Sequence, residues 1–122
     1  MKYIKTYEGL NNNDEPQIGD YVICKDSLFD EDSPSDKEMI DFLSNNIGQY
    51  VVTNQTYSKH KYTIKYTDIP FNIQRYFDPE DKYIATSDSE RCIRGMKRDE
   101  IIFYSEDKLG CEAFFASNKY NL

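Results

Sequence analysis

A chain of 122 residues is long enough for one modest hydrophobic core and too short for two, so residues 1–122 are expected to form a single domain. A formal net charge of −7 disfavours a surface that tracks a phosphate backbone, because such binding depends on Lys and Arg displacing counterions. The three cysteines, Cys24, Cys92 and Cys111, lack C-x-x-C spacing, which points to reduced thiols rather than a disulfide framework or a zinc knuckle. Eleven Tyr and seven Phe add large apolar area to a hydrophobic content of 39%, so a core can form. The first ten residues carry charge and lack the apolar run of a secretory signal. Nor does any segment approach the roughly 20 apolar residues of a membrane span. The expected location is the cytoplasm.

In chain order, residues Lys2 to Tyr7 alternate weakly, as an edge strand or arm would. A polar loop then ends at Pro16, and Gly19 permits the bend into a strand over Ile18 to Cys24, in which Tyr21 and Ile23 face one way and Val22 and Cys24 the other. Asp26 to Asp41 holds seven acidic residues against the single base Lys37, beginning as an exposed loop. A helix over about 35–46 follows, with Ser35 and Glu38 as a capping box and Met39, Ile40, Phe42, Leu43 and Ile47 at helical spacing.

Gly48 to Tyr66 reads as a hairpin, with Tyr50 and Val52 alternating in one strand and Tyr62, Ile64 and Tyr66 sharing a face of the other. A short second helix or single turn is expected across Ile69, Ile73 and Phe77, capped by Asp68, with Pro70 in its first turn and Asp78-Pro79 as its stop. A surface connection follows, with a possible short strand at Tyr83 to Ala85. Strands at Cys92–Met96 and Glu100–Ser105 flank a Lys-Arg-Asp turn. Residues 106–122 contain Phe114 and Phe115 without a sustained period and are expected as a C-terminal tail, docked or mobile.

The order GDYV, an insertion, a G-x-x-V strand, Y-x-I-x-Y, RGM, a short turn and DEII resembles an SH3-like barrel over about 16–105. The expected fold is therefore mainly β with one or two short helices: a small antiparallel barrel carrying an inserted amphipathic helix. The longer string KYIKTYE, IGDYVI, NNIG, YTIKY, RGM and RDEI also resembles small proteins of viral or phage type, and frequent Asn, Lys, Ile and Tyr fit AT-rich codons. That resemblance implies a host-cell cytoplasm and carries no activity. The ALYDY and Trp signatures of a proline-peptide-binding SH3 domain are missing, so proline-rich peptide binding is not implied.

Candidate chemistry is sparse. His60, the sole histidine, lies in a lysine-rich turn where a positioned base is hard to orient, and the ordinary reading is a solvated loop residue. Asp30, Asp32, Ser35 or Asp36, and Asp41 loosely match a calcium loop, but Ser35 stands where Gly is required and Asp41 replaces the terminal Glu. No metal or cofactor is expected, and no nucleophile, base and oxyanion group can be placed together, so the chain is read as a non-enzyme.

The preferred expectation is a non-catalytic protein-binding module, a viral or phage accessory protein, with an anti-defence inhibitor as its specific form. Asp30, Glu31, Asp32, Asp36, Glu38 and Asp41 would engage a basic groove on another protein, helped by a tyrosine face that includes Tyr62 and Tyr66. Plain solubility explains the same acidity. The tyrosines, among them Tyr21, Tyr50 and Tyr104, serve equally as core or as an aromatic cage. One alternative is a nucleic-acid-binding barrel using Arg91, Arg94, Lys97, Arg98 and Tyr104, a minority reading given the surrounding acidity. Another is a structural component of a virion or replication complex.

Overall fold

The computed structural model describes residues 15–120 apart from 27, 56, 58–60, 85 and 87–88, with the side chains of 118–120 also left out. The expected arm at Lys2 to Tyr7, His60 and the end of the possible strand at Tyr83 to Ala85 lie outside the described residues; Tyr83 and Ile84 form a bend. Six strands form one antiparallel sheet: β1 (Tyr21–Cys24), β2 (Gly48–Tyr50), β3 (Lys61–Lys65), β4 (Asp78–Pro79), β5 (Arg91–Lys97) and β6 (Ile101–Ser105). Their order is β4-β5-β3-β2-β1-β6. Helix α1 (Pro34–Asn45) is inserted between β1 and β2, helix α2 (Lys108–Tyr120) follows β6, and 3-10 helices occupy Phe71–Tyr76 and Arg98–Glu100.

Chain connectivity forces this sheet to curl. Between β5 and β6 lie β3, β2 and β1, four strand spacings or about 19 Å if the sheet were flat. The link from Lys97 to Ile101 is a single 3-10 turn, which advances only about 2 Å per residue. Strands β5 and β6 are therefore drawn toward each other, although the sheet stays open, with β4 and β6 unpaired to one another. The expected β class with short helices is met; a closed barrel is not established.

The curl creates an inner face. Tyr62, Ile64 and Tyr66 all contribute to the main core there, as their shared alternation requires, together with Val22 and Cys24. Met39, Phe42 and Leu43 of α1 and Ile73 of the first 3-10 helix cover it. Ile23 points the opposite way into a second cluster with Phe103 and Cys111, so β1 is buried on both faces. The register shifts between Ile23 and Cys24, so that Phe103 opposes Ile23 and Ile101 opposes Cys24. This bulge sends Ile101 and Phe103 into different cores and leaves Ile102 in solvent.

Several local expectations need correction. Helix α1 is capped by Ser33, whose side chain accepts the Asp36 N–H, with Pro34 in the first helical position, rather than by a Ser35–Glu38 box. Asp68 does not cap the 3-10 helix; it adopts a left-handed φ of 56°. Residues 108–120 form α2, where Cys111 is fully buried and Phe114 and Phe115 pack against Ile23 and Phe103. Phe103 and Phe114 stack with centroids 4.6 Å apart. Within 106–122, the expected tail thus supplies the lid of the second core.

Gly48 lets β2 approach the inner face: an added Cβ would lie 2.5 Å from Ile64 Cγ2 and 2.9 Å from Tyr66 Cζ. Gly48→Ala is expected to destabilise by about 1–3 kcal/mol, the usual cost of overpacking, read as a lowered urea midpoint with unchanged slope.

Candidate interaction surface

Strand β5 carries the basic cluster, and its pleat disperses it. Arg94 sits opposite Ile64 in the β3–β5 register and so faces inward. Its Nε and Nη2 donate to Asp26 Oδ2 at 2.9 and 2.5 Å, and its Nη1 donates to the Tyr76 carbonyl at 2.7 Å. The Asp26 side chain is 2% exposed and that of Arg94 18%. Asp26 Oδ1 accepts the Leu28 N–H at 2.9 Å, and the Phe29 ring lies under the guanidinium, 5.1 Å away, meeting Tyr76 edge-on. The charge of Arg94, expected in a nucleic-acid grip, is thus already answered within the fold by Asp26.

The other members of that cluster are scattered. Arg91 donates from Nε to the Phe77 carbonyl at 2.7 Å and lies 3.9 Å from the Asp78 carboxylate. Lys97 is exposed at the opposite end of β5, six residues or about 20 Å away along the strand. Arg98 stacks over Tyr104 at 5.3 Å, donates to the Ile101 carbonyl at 3.2 Å and pairs with Glu15 at 3.3 Å. No single basic face results from Arg91, Arg94, Lys97 and Arg98.

The acidic residues, by contrast, form one ordered ridge leading into α1. The Asp32 N–H donates to Asp30 Oδ1 at 2.9 Å, the Ser33 N–H to the Asp30 carbonyl at 3.1 Å, and the Asp30 N–H to Asp36 Oδ2 at 3.1 Å. Glu31 and Asp32 point into solvent. Glu38 accepts the Asn72 side-chain amide, and Asp41 has an exposed partner, Lys37, at 3.7 Å. Such an exposed i,i+4 pair is worth only a few tenths of a kcal/mol. Among the described residues no base forms an ion pair with Asp30, Glu31, Asp32, Asp36 or Glu38.

The tyrosines do not converge on one accessible face. Tyr66 is 1% exposed, edge-on to both Phe42 and Phe77, with its hydroxyl beside the Cys24 thiol, so it belongs to the core and not to a contact surface. Burial holds its pKa well above the ordinary value. Tyr62 is half-buried, meets Tyr50 edge-on at 5.0 Å and donates its O–H to Glu15. Burial chiefly, and then this hydrogen bond, push its pKa up to about 12. Tyr21 faces the second core. Tyr57 lies over Gly95 and donates to Asp78 Oδ2 at 2.7 Å. Sequence reasoning missed Phe71, which is 88% exposed, and Arg75; the four-residue spacing drew attention to the buried Ile69, Ile73 and Phe77 instead.

All three thiols are buried, and burial pushes those of Cys24 and Cys111 up to about 12. At neutral pH they are protonated and act as small apolar groups. Among the described residues no three His, Cys, Asp or Glu side chains are grouped to hold a metal ion, and no helix is long and apolar enough to cross a membrane. No family model, curated protein or solved structure matches this chain.

Tyr62 gives a pH test. The folded group keeps its proton to about pH 12, whereas an unfolded tyrosine loses it near 10, so its contribution to stability is complete below 10 and lost as pH rises toward 12. In urea titrations across that window, wild type is expected to lose stability more steeply than Tyr62→Phe; parallel curves would contradict the assignment.

Proposed function

We propose that this chain is a non-catalytic protein-binding module that presents the acidic ridge and first turns of α1 to a basic groove on a larger protein. The observation that carries the reading is the contrast in how the charges are held. Arg91, Arg94 and Arg98 each reach both a carboxylate and a backbone carbonyl of their own fold. Asp30, Asp36 and Ser33 fix the ridge through their own hydrogen bonds and leave Glu31 and Asp32 pointing outward. A pre-ordered charged probe loses little conformational entropy on binding, and its field speeds encounter with a basic partner.

An SH3-like organisation of the sheet is part of this proposal. It draws support from the run β5-β3-β2-β1-β6 and from the 3-10 turn that carries the chain into β6. In that arrangement the sheet is a rigid platform and α1 with its preceding loop is the insertion that does the contacting. A viral or phage accessory protein that blocks a nucleic-acid-binding groove of a host defence protein has this design, with carboxylates standing in for phosphates. The reading of β5 as a nucleic-acid track is not retained, since Arg94 is engaged and Arg91 and Lys97 are at opposite ends.

Glu31→Lys/Asp32→Lys reverses two exposed charges and leaves the Asp30 carboxylate that holds the turn. A partner captured by wild type from nuclease-treated host lysate, then purified, is expected to bind this variant at least about tenfold more weakly at low salt, with a flatter salt dependence. Equal affinity and an equal salt slope would contradict the acidic-ridge reading.

A further inference from the structure

An open depression lies between the 3-10 helix Phe71–Tyr76 and the entry to β5, lined by Phe71, Asn72, Gln74, Arg75, Arg91 and the neighbouring Ser89 and Glu90. We propose that it binds a nucleoside phosphate, with the base stacked on Phe71 and the phosphate between Arg75 and Arg91. Phe71 is the most exposed large apolar side chain among the described residues, at 88%, yet its backbone is anchored by Ile73, which is buried in the main core. An aromatic ring held on a fixed turn with its surface in water is a stacking platform.

The polar groups around it are fixed and have capacity left. Arg75 donates from Nη1 to the Asn72 carbonyl at 2.5 Å and from Nη2 to the Tyr76 hydroxyl at 3.0 Å, and its guanidinium lies 4.6 Å from the Tyr76 ring. It has no carboxylate partner among the described residues, and a guanidinium has five N–H donors, so its charge and several donors remain for an anion. Arg91 uses Nε on the Phe77 carbonyl and keeps Nη1. Ser89 Oγ accepts the Thr86 N–H, leaving its own O–H to donate. Gln74 donates its amide N–H to the Ile69 carbonyl, leaving the amide oxygen for a base edge.

Charge limits the ligand's size. Two arginines suit one or two phosphate groups, while Glu90 on the rim, the Asp78 carboxylate 3.9 Å from Arg91, and the net charge of −7 oppose a long phosphate track. A free nucleotide and the terminal nucleotide of a single strand share this chemistry. This site uses neither Glu31 nor Asp32 of the acidic ridge; its one link to that ridge is Asn72, whose side-chain amide donates to Glu38.

The test is calorimetric titration of the full chain with thymidine monophosphate, with unphosphorylated thymidine and with a 3′-phosphorylated tetrathymidylate. Saturable binding that needs the phosphate is expected. Phe71→Ala, an exposed change that leaves the melting temperature unaltered, should weaken it about tenfold. Arg75→Gln should weaken it and reduce the salt slope by about one phosphate contact. Arg98→Gln, outside the depression, should leave it unchanged. Monophosphate and tetramer of equal affinity identify a free nucleotide; a tetramer bound more than tenfold tighter identifies a strand end. The proposal is overturned by no saturable binding of either phosphate, by thymidine binding equally well, by an unaffected Phe71→Ala, or by an equal loss in Arg98→Gln.

Discussion

The ion pair between Asp26 and Arg94 joins residues 68 positions apart in the chain and ties three pieces of the fold at one point. Through it the loop leaving β1 is fastened to β5; through the Tyr76 carbonyl the first 3-10 helix is fastened to the same guanidinium. Removing two charges from water is costly, and an ion pair repays that only when its remaining hydrogen-bonding capacity is filled. Here most of it is used: both carboxylate oxygens have donors, each of the three guanidinium nitrogens has an acceptor, and the Phe29 ring lies against the planar face. Because the loop that starts at Asp26 goes on to the acidic ridge and α1, the pair also sets where that ridge stands relative to the sheet.

The second organising feature is β1, which is buried on both sides. Its inward residues belong to a core covered by α1, its outward residue Ile23 to a core covered by α2, and the bulge opposite Ile23 and Cys24 allows β6 to serve both. A domain of this size gains little from a single core, and two small clusters sharing one strand recover apolar burial that an open sheet would otherwise lose. The consequence for function is a division of charge. Arg94 and Arg98 are spent on holding the curled sheet together, and Glu31 and Asp32 of the ridge are left to the solvent.

Much of the sheet was legible in sequence because alternation survives wherever a strand has one wet face. Tyr62, Ile64 and Tyr66 were recognisable as neighbours on one face, and the structure adds that this face is the inner one. The helix within residues 34–45 was legible from Met39, Phe42 and Leu43, while its start differs from the Ser35–Glu38 spacing because Ser33 caps it and Pro34, a favourable first-turn residue, opens it. Helix α2 was missed although Cys111, Phe114 and Phe115 have helical spacing, since Gly110 and a dense run of charge before it mask so short a stripe. Strand β4 has two residues, Asp78 and Pro79, neither a strand former, and exists only because β5 offers an edge. The ion pair itself left no local signal: an aspartate in a run of acids and an arginine in a run of bases resemble solvated charges until the fold brings them together.

A double-mutant cycle on Asp26 and Arg94, read by urea denaturation of Asp26→Ala, Arg94→Ala and the double variant, tests this account most directly. Each single change is expected to cost about 3–5 kcal/mol, because it leaves a buried charge unanswered. The double variant should cost about 2–3 kcal/mol less than the sum of the two. Single losses below about 1 kcal/mol that simply add would show that the pair is incidental, as an exposed salt bridge would be, and that the ridge is held in place by something else.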